Sequence, residues 1–188
     1  MPVTINGSGS ITGLAQGGID GTKVVTSAAQ PAGSIIQVVS TEKSDTYNCT
    51  STTFEDVPGM SASLTPLSSS NKILLIGNFQ HSSTAKSLIK MFRDIGGGGY
   101  SEIAVGDASG NRVRTFASSA PYLNIGGETT LSQNVMFLDS PNTTSAVTYK
   151  LQIKVNSGTA YINRHTSTDN TDDQARTRSS ITLMEVLS

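Results

Sequence analysis

Asp169, Asp172 and Asp173, within the run Ser-Thr-Asp-Asn-Thr-Asp-Asp-Gln at positions 167–174, lie close enough in sequence to share one calcium ion. A hard cation takes several oxygens from a single loop. The run lacks the Asp-x-Asp/Asn-x-Asp/Asn-Gly order of a calcium loop, so a solvated acidic loop is expected and the three aspartates stand only as metal candidates. The two histidines, His81 and His165, have no Cys, Asp or Glu at metal-ligand spacing and are expected in turns or at the surface. Glu102, Asp107 and Asp139 carry no pattern, and a glycosidase-type carboxylate pair among them stays open on sequence grounds. No Gly-x-Ser-x-Gly elbow is present. Gly7-Ser8-Gly9 and the four-glycine run Gly96 to Gly99 are followed by no Lys-Ser/Thr pair, which a phosphate cradle requires. The tripeptides at Asn6, Asn48 and Asn142 match the N-glycosylation rule, a match that arises readily by chance in a chain this rich in Ser and Thr. No catalytic residue and no cofactor are expected.

Composition narrows the class. In 188 residues, charged side chains make up only 14%, against about 25% in an ordinary soluble domain. Roughly a quarter of the residues are Ser or Thr, so the surface is built from hydroxyls rather than ions. Thr favours strands while Ser and Gly serve turns, which suits an all-β protein that stays soluble outside a cell or on a virion. The net charge is −1, with Lys and Arg dispersed along the chain. The electrostatic footprint of nucleic-acid binding is therefore missing. Cys49 is alone and cannot form an internal disulfide. The N-terminal stretch lacks the basic start and apolar run of a signal peptide, and no segment approaches the ~20 apolar residues of a membrane span. The expectation is synthesis in a cytoplasm, with no membrane insertion.

The elements that would position any site are strands. Residues 147–155 read Val-Thr-Tyr-Lys-Leu-Gln-Ile-Lys-Val, apolar at every odd position. Only alternating side chains gather Val147, Tyr149, Leu151, Ile153 and Val155 on one buried face, with Thr148, Lys150, Gln152 and Lys154 exposed on the other. Ser34 to Thr41 and Lys72 to Gln80 are apolar on both faces and need two covers, a second sheet or a second subunit. Pro58-Gly59 reads as a tight turn between strands at 52–57 and 60–64, and Ser157-Gly158 as a short hairpin. Residues 85–95 fit both helical and strand spacing. The glycines at 96–99 read as a hairpin tip or surface loop. Further strands are expected at 101–105, 112–117, 131–138, 160–164 and 178–186. About ten short strands without crossover helices indicate an antiparallel β-sandwich or jelly roll at 34–188. Residues 1–33 hold seven of the eighteen glycines and no aromatic residue. They are expected to form an extended segment that orders only against a partner.

From Ser34 onward four stretches stand out: SIIQVVSTEKSDTY, LTPLSSSNKILLIGNF, LDSPNTTSAVTYKLQIKVNSGTAYINR and SSITLMEV. Through them the chain resembles a domain common in marine and cyanobacterial tailed-phage proteins. The leader, with GGIDGTKV and QPAGSIIQ, is similar to joints that precede such domains in phage fibres. The resemblance covers about four fifths of the chain. It implies a non-enzymatic virion protein, a fibre or fibre tip or else a capsid decoration protein, with a C1q-like or jelly-roll body assembled as a homotrimer. It also implies a strand over Leu88 to Ile95, with the Gly96 to Tyr100 insertion longer than the simple turn of the family. Residues 1–33 would contact other virion proteins. Loops at 96–100 and 166–173 would reach a host surface glycan, with Tyr100 and Tyr122 as stacking residues. A glycan-active enzyme is the third class, and it would need a carboxylate-lined cleft.

Overall fold

The computed structural model describes residues 30–119, 130–167, 172 and 174–188. Eleven strands and no helix occupy them: β1 (Ile35–Lys43), β2 (Tyr47–Cys49), β3 (Glu55–Leu64), β4 (Lys72–Ser83), β5 (Ser87–Ile95), β6 (Ser101–Ile103), β7 (Ala117–Ser119), β8 (Leu131–Asp139), β9 (Val147–Val155), β10 (Ala160–Ile162) and β11 (Ser179–Val186). One sheet runs β1–β11–β4–β8, and the short β10 and β2 continue it beyond the end of β11. The other runs β3–β9–β5, with β6 and β7 sharing the far side of β5. All pairings are antiparallel, and the chain passes repeatedly from one sheet to the other. First strand beside last, fourth beside eighth, and third, ninth and fifth opposite them is the strand order of a jelly roll.

The core lies between the sheets. Val147, Tyr149, Leu151, Ile153 and Val155 of β9 are all fully buried, as their alternation requires. They meet Ile73, Leu75 and Phe79 of β4 and Ile181 and Leu183 of β11 in one continuous cluster. β9 is flanked by β3 and β5, so it is interior to its sheet. Its polar face is half-buried rather than exposed, because side chains from flanking elements fold over it.

Several local expectations change in the presence of partners. Residues 87–95 form a strand, which resolves the helix–strand ambiguity in favour of β pairing with β9 along its whole length. Pro58-Gly59 does not separate two strands. It is a bulge inside β3: register moves from Asp56 opposite Gln152 to Ser61 opposite Lys150, and Gly59 absorbs the extra residues at φ 77°. Ser157-Gly158 is not a hairpin, because β9 and β10 belong to different sheets. The turn carries the chain across the sandwich, and at φ 67° against the Thr84 side chain only glycine fits position 158. Residues 112–116 are irregular, and the strand expected there is only β7.

Asn163, fully buried at φ 59°, ties together one end of the β1–β11 sheet. Its amide donates to the carbonyls of Lys43 (2.7 Å) and Asp45 (3.0 Å), and its side-chain oxygen accepts from Ser179 Oγ (2.6 Å). At the opposite end the fully buried Glu185 accepts from the Leu67 amide and from Asn71 Nδ2, each at 2.7 Å, which ties the 65–71 loop to β11. Buried polar groups are tolerable because they are satisfied in this way.

Gly77, in the middle of β4, gives a direct test of this packing. A β-carbon there would lie 2.6 Å from the fully buried Phe79 ring and 2.8 Å from Val135 Cγ1. Gly77→Ala is expected to destabilise the fold by roughly 1–3 kcal/mol through overpacking. Denaturant titration measures this, and an unchanged midpoint would refute the close contact.

Candidate functional site

The outer face of the β3–β9–β5 sheet gathers the aromatic and ionic side chains that could meet a ligand. Tyr100 follows the glycine run between β5 and β6, a hairpin tip as its composition suggested. Asp94 holds that tip by accepting the backbone N–H groups of Gly97 (2.9 Å) and Gly99 (2.6 Å), while Gly96, Gly97 and Gly99 take positive φ. The long insertion is thus a built loop that returns Tyr100 over β9. Lys150 Nζ lies 3.7 Å from the Tyr100 ring centroid, a cation–π contact, and the ring is 46% exposed.

Lys150 also donates to Asp56 Oδ2 (2.9 Å), and Gln152 Nε2 donates to Asp56 Oδ1 (2.7 Å). The β3 bulge beside Asp56 is what aims this carboxylate across β9. Partial burial pushes the Asp56 carboxyl up, but the hydrogen bonds from Lys150 and Gln152 outweigh it and hold the group below the usual carboxylate range. One step along the sheet, Phe54 lies between Lys90 Nζ (4.6 Å) and Lys154 Nζ (5.3 Å), and Lys90 pairs with Glu102 of β6. Two aromatic rings, a carboxylate and an amide therefore share one surface on a rigid sheet. The rings supply apolar faces, and Asp56 with Gln152 supplies hydrogen-bonding groups around them, the pairing that polyhydroxyl ligands require.

The other sequence candidates have different fates. Asp172 is exposed, while Asp169, Asp173 and Tyr122 lie outside the described residues. Among the described residues no group of three His, Cys, Asp or Glu side chains is placed to hold a metal. The histidines are not at the surface, which corrects the sequence reading. His81 is fully buried in β4, and desolvation lowers it to about 4. His165 does sit in a turn, where Nδ1 accepts the Ser167 amide (3.1 Å), but it too is buried.

The carboxylates considered for hydrolysis do not converge. Asp107 is exposed, Glu102 pairs with Lys90, and Asp139 is buried under Arg93 and Tyr149. Cys49 is a buried thiol pushed up to about 11 by desolvation and by the neighbouring Glu55 carboxylate, which leaves it a poor nucleophile. Phe54 and Asp56 went unnoticed in the sequence, and Gln152 was placed on a polar face without being assigned to a site. The alternation of β9 indicated that Gln152 shares a face with Lys150 and Lys154, but nothing local placed Phe54 or Asp56 beside them.

Strand order and surfaces together define a jelly-roll β-sandwich with one ionic, aromatic outer face. No protein-family model matches the sequence, and no curated protein does. Among solved structures the chain is similar to that of infectious bursal disease virus, Gx strain, with 10% identity and a TM-score of 0.36, over 93% of this chain and 43% of the other. For the Gt strain of the same virus the values are 12%, 0.32, 93% and 44%. The VP2 subviral particle of that virus is similar at 10% identity and a TM-score of 0.35, over 80% of this chain and 38% of the other. The chain spans less than half the length of each.

Proposed function

We propose that the protein is a non-enzymatic structural component of a tailed-phage virion, a fibre or fibre-tip protein. In this reading residues 1–33 anchor it to the particle, and the sandwich projects as a homotrimer toward a host surface glycan. The observation that carries the reading is the jelly-roll strand order, found over the same span whose sequence resembles phage virion domains. The Tyr100–Phe54 face supplies the attachment surface. Its Asp56–Gln152 pair is held on β3 and β9, and its rings are held against Lys150, Lys90 and Lys154, so little side-chain entropy remains to be lost on binding. Multiple copies would multiply a weak contact through avidity.

A capsid decoration protein is the second reading. It is favoured by the neutral, apolar outer face of the opposite sheet, which suits a lattice of neighbours.

The test is adsorption of the purified full chain to host cells. Tyr100→Ala combined with Asp56→Ala is expected to weaken it at least tenfold, about 1.4 kcal/mol. Deleting residues 1–29 is expected to abolish incorporation into particles while the body keeps its melting temperature, since Gly33 and Ser34 retain their backbone hydrogen bonds to Leu187. Absence of cell binding by the parent chain, with hundreds of copies per particle on a quantified gel, would replace the fibre reading by decoration. Normal incorporation of the truncated chain would refute anchoring.

A further inference from the structure

The outer face of the β1–β11–β4–β8 sheet differs in kind from the one bearing Tyr100. Register places Val38, Met184, Leu74 and Leu138 in one row across the four strands, with Ile76 and Met136 paired in the next. Met136 is 78% exposed and Val38 56% exposed. Ser40 and Thr182 complete that second row and hydrogen-bond each other (3.0 Å), and in the row after it Asn78 donates to Asn134 (2.6 Å). Lys72 stands at one end of the face and the Glu42–Arg178 ion pair at the other. Between them no outward residue of the four strands is charged.

We infer that this face is a self-association surface, covered by the same face or a neighbouring surface of a second copy of the chain. The inference rests on the oligomeric part of the reading above and names the surface that would serve it. Three features favour a second copy as the occupant. A face without charge offers nothing to an ionic partner, whereas an equally neutral surface of another copy can lie on it without burying an unpaired charge.

The area is also of the right order. Four strands spaced ~4.8 Å and nine residues rising ~3.3 Å each give a footprint on the order of 600 Å² before side-chain relief. That approaches the ~800 Å² per partner of a standard interface. Finally, the apolar residues form one continuous row, Val38, Met184, Leu74 and Leu138, extended by Ile76 and Met136 on two of the strands, rather than scattering singly, which marks an interaction surface. The strands at Ile35 and Ile73 that read as apolar on both faces thus have one cover from the opposite sheet and the other from a neighbour.

The experiment pairs sedimentation equilibrium of the full chain with methionine oxidation by dilute peroxide, read by peptide mass spectrometry. Met60 and Met91, both fully buried in the core, serve as internal references. The parent is expected to be oligomeric at micromolar concentration, and Val38→Glu, at an already exposed position, is expected to be a folded monomer. Met136 should oxidise on the order of tenfold more slowly in the parent than in that variant, because oxidation follows exposure. An oligomer in which Met136 oxidises freely would overturn the surface while leaving oligomerisation intact. A parent monomer would overturn both, and a slow Met136 in such a monomer would assign the cover to the chain's own N-terminal residues.

Discussion

Replacing Asp139 by alanine is expected to lower the melting temperature by roughly 6–12 °C, the equivalent of about 3 kcal/mol in a chain of this size. Asp139, on β8, takes both oxygens to Arg93 Nη1 (2.7 and 2.9 Å) on β5 and accepts the Tyr149 hydroxyl (2.7 Å) from β9. It is therefore a latch between the two sheets. Burial and the Asp139 hydrogen bond push the Tyr149 phenol well above its usual range, so it stays a donor at every physiological pH. Removing the carboxylate leaves a largely buried guanidinium and a buried hydroxyl without an acceptor, and the unpaired charge is the larger cost. The estimate sits at the low end for buried pairs because the Arg93 side chain is 22% exposed and water offsets part of the loss. In an Arg93→Leu background the same substitution should cost clearly less, and a double-mutant cycle measures that coupling. A melting temperature within ~2 °C of the parent would refute the latch.

The second large effect is on acid stability. His81 projects into the core, and among the described residues neither ring nitrogen has a hydrogen-bond partner. Desolvation alone lowers it from 6.5 to about 4, so over that interval the unfolded chain binds a proton that the folded chain refuses. Stability consequently rises with pH through this window, and the contribution present above pH 6.5 is lost as pH falls toward 4. At about 1.4 kcal/mol per pH unit the loss amounts to roughly 3 kcal/mol. His81→Leu is expected to flatten this part of the stability–pH curve while costing little at pH 7, since it deletes two polar atoms that bond to nothing. Urea midpoints at pH 7.5, 5.5 and 4 check it, and a variant that retains the parent's full pH dependence would sink the assignment.

Much of the fold was legible because the information is local. The period-two pattern of β9 identified its buried face residue by residue, whereas β4, apolar on both faces at 73–76, showed only that it needs two covers. The glycine run before Tyr100 announced a loop, since it has no side chain to pack and no preferred backbone angle. The candidate binding face was legible only in part. Tyr100 was picked out as an aromatic beside an unusual loop, whereas Asp56 belongs to a strand whose register with β9 is set by a bulge, and Phe54 lies just before that strand. A bulge and a tight turn look alike in sequence, as Pro58-Gly59 shows, because the partner strand decides whether pairing resumes.

Composition and periodicity, then, determined by themselves that this is an all-β chain with few ions, which side chains of β9 face inward, and where the glycine run at 96–99 interrupts pairing. Tertiary structure alone decided which strands became neighbours. It thereby spent Asp139 and Glu102 on ion pairs, buried His81 in the core, sent Ser157-Gly158 across the sandwich, and left one outer face ionic and the other apolar. The division has a simple cause. A residue's own neighbours specify the direction of its side chain, but its partners lie tens of residues away in sequence, and their identity depends on strand order and register, which no single segment encodes.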